Sequence, residues 1–229
     1  MKSFHVKNVR AICFDVDSTV CTNDGLDALG QYMGKAQLIA DITNKAMNGV
    51  LDLPIALDQR LDALKLTKTN IESFKQRVSI SLTPGIRRLI NALQASKIKV
   101  YLVSGGIYEM VERVAKELNV PEANVYVNRL IYSEDGRCIG FDPSQPTSRS
   151  DGKMAVIAEL KAKLPAGSGV LMVGDGMTDA AAAPPADAFI GFGGNVARPA
   201  VQRATPYYFY SFDDMYAFFQ DNGIIRQLD

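Results

Sequence analysis

The chain has 229 residues, and its 25 lysines and arginines balance its 25 aspartates and glutamates. Because there is no basic excess to neutralise a nucleic-acid backbone, a dedicated DNA or RNA binder is disfavoured. Hydrophobic residues make up 47% of the chain and charged residues 22%, which excludes a disordered or collagen-like protein. The length predicts one large domain or one domain with an insertion.

The chain shows no recognisable targeting signal, which predicts a soluble protein of the cytoplasm with no membrane partner. No apolar run approaches the ~20 residues that cross a bilayer, and no secretion-signal segment is found at the N-terminus. The three cysteines, Cys13, Cys21 and Cys138, are an odd number and form no CxxC pair, so neither a disulfide framework nor a zinc site is expected. No N-glycosylation acceptor occurs, which agrees with a reducing compartment.

The first predicted element is a short buried strand over residues 9–16 that runs into the polar residues Asp17, Ser18 and Thr19. From residue 24 to about residue 81, apolar residues recur at helical spacing, and no strand signal interrupts them. A Pro-Gly pair at 84–85 ends this helical block.

Beyond residue 85 the predicted helices and strands alternate. The pattern predicts helices over 86–96, 108–118 and 153–164, a helix from about 213, and strands over 100–103, 125–127, 170–173 and 188–190. A hairpin is predicted with its turn at Asp135-Gly136. Such alternation is typical of an α/β fold with a parallel sheet covered on both faces. The helical block is then an inserted cap over 21–82, and residues 1–20 and 83–229 form the core.

Polar residues follow the predicted strands, where ligands of parallel sheets bind. Asp15 and Asp17 end the first strand, and their spacing of two would turn both toward one ligand if the strand is extended. Ser104, with Gly105 and Gly106, follows the 100–103 strand and offers a hydroxyl and backbone N–H groups to a phosphate. Taken singly, the Asp15 and Asp17 pair is better explained as a solvated acidic turn, and Ser104 as the N-cap of an ordinary strand-to-helix turn.

Two further carboxylates, Asp175 and Asp179, lie after the 170–173 strand. Four clustered carboxylates repel one another without a cation, and hard oxygen ligands are those that Mg²⁺ selects. Lys153, at the start of a predicted helix, would neutralise phosphate charge, although alone it would be read as a solvated lysine. Arg198 is expected to approach the rim of the same site. The ordered set therefore indicates a magnesium and phosphate site.

The motifs resemble those of the haloacid dehalogenase superfamily. They are FDVDSTV at 14–20, VSGG at 103–106, GK at 152–153 and GDGMTD at 174–179. Two more segments, LTPGIR at 82–87 and PADAFIGFGGN at 185–195, resemble over nearly the whole chain the branch that hydrolyses L-phosphoserine, the last step of serine synthesis. The resemblance implies a Rossmann-like core with a small helical cap.

The resemblance also implies the chemistry. Asp15 would be the nucleophile that forms an aspartyl-phosphate, and Asp17 would be the general acid and base. Mg²⁺ would be held by Asp15, Asp175, the backbone carbonyl of Asp17, and Asp179 directly or through water. The phosphoryl oxygens would be held by Ser104, Gly105 and Lys153, and Gly106 and Thr178 would be further substrate-binding residues.

The implied pocket for the serine part of the substrate lies in the cap. Arg60 matches the position that binds the carboxylate, and Met47 matches a pocket residue. Asp24 stands where the family usually has glutamate to bind the amino group, and Leu53 stands where phenylalanine is usual. These two differences are expected to reshape the pocket and to affect substrate strictness.

Two other functions remain open from the sequence. One is a relative that acts on another small phosphate ester or transfers the phosphoryl group to an alcohol. The other is a non-catalytic module that binds a phosphorylated ligand, against which the pair Asp15 and Asp17 counts. A dehalogenase is disfavoured because Asp17, the second acid of the phosphatases, is present. The protein is expected to be a monomer or a homodimer.

Overall fold

A computed structural model gives the fold and describes residues 4–47 and 50–226, with the side chain of Met47 outside the description. In chain order the elements are β1 Val9–Phe14, α1 Gly25–Tyr32, α2 Ala36–Met47, α3 Leu53–Leu64, α4 Lys68–Arg77, α5 Ile86–Ala95, β2 Lys99–Ile107, α6 Tyr108–Glu117, β3 Val125–Asn128, β4 Leu130–Tyr132, β5 Cys138–Phe141, α7 Gly152–Lys163, β6 Gly169–Gly174, α8 Met177–Ala181, β7 Ala188–Phe192, α9 Pro199–Ala204, β8 Tyr208–Phe209 and α10 Phe212–Asp221. None of the helices in these described ranges has the length and apolarity needed to cross a bilayer.

The large sheet has six strands in the order β3-β2-β1-β6-β7-β8, and all its neighbours are parallel, as the alternating pattern predicts. Strand β1 is central: its Ile12 pairs with Val100 of β2 and with Leu171 of β6. The carboxyl ends of β1, β2 and β6 therefore lie side by side, and the residues that follow them meet at one edge.

Helices cover both faces of this sheet. On one face, Ile12 and Phe14 of β1 pack in a core cluster with the apolar residues of α5, α6 and α10. On the other face, Ala11 and Cys13 of the same strand pack with α7. Alternate residues of β1 thus point to opposite faces, and both faces are buried, which explains why its sequence is almost continuously apolar.

Helices α1 to α4 form a separate layer with its own apolar cluster, in which Leu29, Ile39 and Leu64 are fully buried. The predicted hairpin β4–β5 joins this layer, because the backbone N–H of Cys138 donates to the carbonyl of Leu66 at 2.8 Å. The division of the chain into a core and a cap at residues 21 and 82 stays a prediction.

The ends of two strands differ from the prediction. Strand β1 ends at Phe14 and not at residue 16, because the chain turns at Ser18, whose φ is 57°, and Cys21 N–H bonds back to the Val16 carbonyl at 2.8 Å. Strand β2 continues to Ile107 and not to residue 103, with a shift of register beside β3. The residues 104–106 therefore form a bulged strand end and not a turn with a serine N-cap.

An aromatic stack holds α10 against the sheet. The rings of Phe212 and Phe192 are stacked with centroids 4.3 Å apart, and Phe212 is fully buried.

We expect Phe212→Ala to lower the free energy of unfolding by about 3–5 kcal/mol, since it removes a buried ring and leaves a cavity. Urea denaturation measures this loss. Ile139→Ala, at a side chain 65% exposed, is the control and should change stability by less than about 0.5 kcal/mol; equal losses would contradict a stabilising role for the stack.

Candidate active site

Three buried carboxylates meet at the edge formed by the ends of β1 and β6. Asp15 follows β1, Asp175 follows β6, and Asp179 lies in α8; they are 7%, 4% and 0% exposed. One oxygen from each lies within 4.8 Å of the others. The backbone requires a glycine beside them: a Cβ at Gly174 would lie 2.2 Å from the carboxylate carbon of Asp179. Three of the four carboxylates that the sequence predicts to cluster therefore come together, whereas the carboxylate of Asp17 is not part of this group.

Two cationic side chains pair with this acidic cluster. The Nζ of Lys153, from the first turn of α7, lies 2.8 Å from Asp15 Oδ1 and 2.6 Å from Asp179 Oδ1. Burial alone would lower the pKa of Lys153, but the two carboxylates outweigh it and raise the pKa. The Nε of Arg198 lies 3.1 Å from Asp175 Oδ2, so Arg198 is part of the site and not only near its rim.

The three carboxylates fit a divalent cation. Burial is the main reason that the pKa of Asp175 rises to about 6 and that of Asp179 to about 7, with the charge of Asp15 adding to both. Those shifts express the cost of holding three negative charges together in a buried place, a cost that a cation removes. The donors are all carboxylate oxygens, which hard cations prefer.

Asp17 lies beside the start of α1 and the end of β2. Its Oδ1 accepts a hydrogen bond of 2.8 Å from the Gly25 N–H, and its Oδ2 accepts one of 3.2 Å from the Ser104 hydroxyl. Burial and the nearby charges of Asp24 and Asp15 raise the pKa of Asp17 well above its ordinary value. This carboxyl group is therefore suited to carry a proton that it can donate.

The bulged end of β2 brings the Ser104 hydroxyl and the backbone of two glycines to the same place, and the Gly106 N–H donates to the Ser104 hydroxyl oxygen at 3.0 Å. A Cβ at Gly106 would lie 2.9 Å from Asp17 Oδ2, whereas a Cβ at Gly105 would meet no atom within 4 Å. Glycine at 106 therefore lets Asp17 approach the strand, and the space beside Gly105 is open to a ligand. The Asn128 side chain donates to the Gly105 carbonyl at 2.8 Å and so holds this segment.

The layer formed by α1 to α4 contributes an acid and a base. Arg60, from α3, is 9% exposed and lies with its Nη1 3.2 Å from Asp24 Oδ2. The other oxygen of Asp24 caps α1, since it accepts from the N–H groups of Leu26 and Asp27. Within the described part of the chain, the buried Nε of Arg60 has no hydrogen-bond partner. A buried guanidinium with an unused donor is a site for an anion.

The remaining predicted pocket residues are placed as follows. Leu53 is half-buried at the start of α3, seven residues before Arg60 and hence on the same helix face. Thr178 is half-buried in the first turn of α8, between Asp175 and Asp179. Met47 is the last residue of α2, and its side chain lies outside the described residues.

Several side chains that support the site were not predicted. Asn128, Thr83 and Asn195 hold the catalytic loops through hydrogen bonds to backbone carbonyls. Asn195 lies in a segment that the sequence singles out, but nothing in the sequence assigns the amide a contact. Their partners are distant in the chain, so no local pattern indicates them.

Comparisons with known proteins agree with this geometry. A family model described as haloacid dehalogenase-like hydrolase matches residues 9–187. The chain is 43% identical over 205 residues to phosphoserine phosphatase of Bos taurus, covering 90% of this chain and 91% of that one. It is 36% identical over 211 residues to the chloroplastic phosphoserine phosphatase of Arabidopsis thaliana, covering 91% and 71%. A phosphoserine phosphohydrolase-like protein from Francisella tularensis superposes with a TM-score of 0.82 at 26% identity, covering 93% and 100%.

Proposed function

The chain belongs to the haloacid dehalogenase-like hydrolases, and from this membership we propose that it hydrolyses L-phosphoserine to L-serine and phosphate. It is a phosphoric monoester hydrolase. The observation that carries the choice of substrate is the buried pair Arg60–Asp24 in the cap, close enough to Asp17 to shift its pKa. One base and one acid complement a substrate whose alcohol part carries a carboxylate and an ammonium.

The reaction proceeds in two steps. The carboxylate of Asp15 attacks phosphorus and forms an acyl-phosphate bond, while the bond from phosphorus to the serine oxygen breaks. Asp17 gives its proton to that oxygen as it leaves. Asp17, now ionised, then takes a proton from a water molecule that attacks the phosphorus, which returns the Asp15 carboxylate and releases phosphate.

Charge on the phosphoryl oxygens is stabilised by the surroundings of Asp15. The Lys153 ammonium already contacts Asp15 and is positioned to bind the group transferred to it. Ser104 and the backbone N–H groups of Gly105 and Gly106 bind the same oxygens, together with Thr178. The Lys153 ammonium, fixed against Asp15 before the reaction, lowers the barrier because it needs little reorganisation as charge moves.

Magnesium is the proposed cofactor. Asp15, Asp175 and the backbone carbonyl of Asp17 would hold it, with Asp179 binding directly or through water; the cluster of buried carboxylate oxygens supports this. When bound, Mg²⁺ supplies positive charge that offsets the repulsion between an anionic nucleophile and an anionic phosphate. The chain's own residues perform the proton and phosphoryl transfers.

Recognition of the serine part is proposed for the cap. Arg60 binds the substrate carboxylate through its unused donors, and Asp24 Oδ2 binds the ammonium. On binding, the contact between Arg60 and Asp24 is replaced by two contacts with the ligand, one from Arg60 to its carboxylate and one from Asp24 to its ammonium. Leu53 is proposed to line the apolar side of the pocket, and the matching role predicted for Met47 falls on a side chain outside the described residues. Because Asp24 also caps α1, it presents a single free oxygen to the ammonium.

The product is L-serine, so we place the reaction at the end of serine biosynthesis, in the cytoplasm. The unpaired thiols Cys13, Cys21 and Cys138 support a reducing compartment. A monomer or homodimer stays the expected oligomeric state.

The test is phosphate release from four esters at matched concentrations, with Mg²⁺ and with EDTA. L-phosphoserine carries both charged groups, O-phosphoethanolamine lacks the carboxylate, 3-phosphoglycerate lacks the ammonium, and p-nitrophenyl phosphate lacks both. We expect the largest kcat/KM for L-phosphoserine and loss of release in EDTA. Release from other esters but not from L-phosphoserine would keep the chemistry and change the substrate, and binding without release would favour a non-catalytic module.

Truncation of the cap guanidinium should affect substrates selectively. Arg60→Ala is expected to lower kcat/KM for L-phosphoserine by about 10–10²-fold, because a charge-assisted pair with the carboxylate contributes roughly 1.5–3 kcal/mol. Turnover of p-nitrophenyl phosphate should change by less than about threefold, since that ester has no carboxylate to lose. Steady-state kinetics on both esters measure the difference. Equal losses would remove Arg60 from the recognition of the carboxylate.

A further inference from the structure

The buried hydroxyl of Thr83 links the two segments that connect the cap to the core with the turn after β1, which carries Asp17. The chain enters the cap through residues 20–22 and leaves it through residues 81–83, and these two linkers pair through their backbones. Thr22 N–H donates to the Ser81 carbonyl and Thr83 N–H to the Val20 carbonyl, both at 2.9 Å. We call this pair of segments the linker ribbon. The Thr83 hydroxyl, on a residue 5% exposed, donates to the Thr19 carbonyl at 2.7 Å. Thr83 therefore lies in the second linker and holds the turn that carries Asp17.

Asn195 fixes this junction from the core. Its Nδ2 lies 2.7 Å from the Thr83 hydroxyl oxygen, which accepts the hydrogen bond, and 3.1 Å from the Ser18 carbonyl. Further contacts of 3.4 Å and 3.2 Å run to the carbonyls of Thr19 and Cys21. One amide group thus lies against the whole turn after β1, with the Thr83 hydroxyl as its shortest contact.

Thr19 is hydrogen-bonded both to Thr83 and to the acidic cluster. It is fully buried; its carbonyl accepts from Thr83, and its own hydroxyl donates to Asp175 Oδ1 at 3.2 Å. Arg198 holds the other oxygen, Asp175 Oδ2. Both oxygens of this carboxylate are therefore oriented by fixed donors, so the plane of the carboxylate depends on where Thr19 is held.

We propose that Asn195, Thr83 and Thr19 form a hinge relay that couples the position of the cap linkers to the orientation of Asp175, which makes Thr83 a positioning residue for the divalent cation. The proposal rests on the metal site of the proposed function. Partners of metal ligands set ligand orientation and affinity. A displacement of the linker ribbon moves Thr83, and the hydrogen bond from the Thr83 hydroxyl moves the Thr19 carbonyl with it. The Thr19 hydroxyl then shifts Asp175 Oδ1 and rotates the carboxylate.

The coupling also acts in the reverse direction, because linkage is reciprocal. A cation bound to Asp175 fixes Thr19 and through it the linker ribbon, so metal binding should protect the amides of the ribbon from hydrogen exchange. The cap linkers are thereby stabilised before the substrate arrives. This consequence involves neither the substrate nor turnover.

Metal affinity of the free protein tests the relay. We expect Thr19→Val to raise the Kd for Mg²⁺ alone, measured by calorimetry, by about tenfold or more, as for other partners of metal ligands. Thr83→Val, which removes the hydroxyl at nearly constant shape, should raise it by roughly threefold or more, since it acts one bond further away. Thr83→Ser keeps the hydroxyl and should restore the wild-type Kd.

Thr22→Val is the matched control, because it removes a hydroxyl bond to Ser81 in the same ribbon without any link to Thr19. It should leave the Kd unchanged. Each variant is measured well below its unfolding midpoint, so that a loss of stability does not enter the comparison. Hydrogen exchange of the 78–83 segment should slow on adding Mg²⁺ in the wild type and in Thr83→Ser, and much less in Thr83→Val.

Each result decides for or against the relay. An equal Kd in Thr83→Val and Thr22→Val overturns it, as does a wild-type Kd in Thr19→Val. A wild type that binds no divalent cation also overturns it. Failure of the wild type to hydrolyse L-phosphoserine, with the ordered series of Kd values intact, would reject the proposed substrate and leave the relay standing.

Discussion

Asp15→Asn is expected to lower kcat for L-phosphoserine by about 10⁴-fold or more while the protein stays folded. The amide has the shape of the carboxylate but lacks the charge and nucleophilicity that form the bond to phosphorus. Removing one of three buried carboxylates also reduces their repulsion, so the variant should not be destabilised by charge. Phosphate release measures the loss, and thermal unfolding checks the fold.

The control for this substitution is Asp213→Asn, which removes a carboxylate from a surface pair with Arg88 in which both side chains are more than half exposed. It should keep wild-type kinetics, since exposed ion pairs contribute little. Turnover of Asp15→Asn within tenfold of the wild type, in a folded sample free of wild-type enzyme, would show that another group attacks the phosphorus.

Asp17→Asn is expected to lower kcat for L-phosphoserine by about 10²–10⁴-fold, because both steps lose their proton carrier. The two steps should separate with p-nitrophenyl phosphate. Its leaving group departs without a proton, so the first step proceeds and the second is slow. Rapid mixing should then show a burst of p-nitrophenolate close to one equivalent of enzyme, followed by slow release.

The same rapid-mixing experiment on the wild type is the reference and should show a smaller burst, since Asp17 there accelerates hydrolysis of the intermediate. Equal losses of rate on both esters, with no burst, would contradict the role of Asp17 as acid and base. Retained Mg²⁺ binding in the variant would show that the loss is not due to the metal.

The fold could be predicted because its signals are local. Strand β1 is apolar on both faces, and helices α5 and α6 carry one apolar face each, so the parallel sheet follows from the pattern. The strand ends were less accurate. The turn at Ser18 is set by a left-handed backbone angle and by local backbone hydrogen bonds, which composition does not reveal. The continuation of β2 to Ile107 depends on its pairing with Asn128 of β3.

The site could be predicted in part for a related reason. Polar residues at the ends of neighbouring parallel strands meet at one edge, so the approach of Asp15, Asp175 and Ser104 follows from topology. The pairing of Arg60 with Asp24 does not follow from topology, because Arg60 lies in α3, 36 positions after Asp24 at the start of α1. The same holds for Thr83 and Asn195.

Trapping the phosphorylated residue tests the central claim, that the phosphoryl group of L-phosphoserine passes through Asp15. Turnover with Mg²⁺ is quenched in acid and treated with borohydride, which reduces an acyl-phosphate to an alcohol, and the peptide over β1 is sequenced by mass spectrometry. We expect homoserine in place of Asp15, and no homoserine in EDTA or in the Asp15→Asn variant. Steady hydrolysis of L-phosphoserine with the reduced residue at another carboxylate, or with no reduced residue, would contradict the role of Asp15.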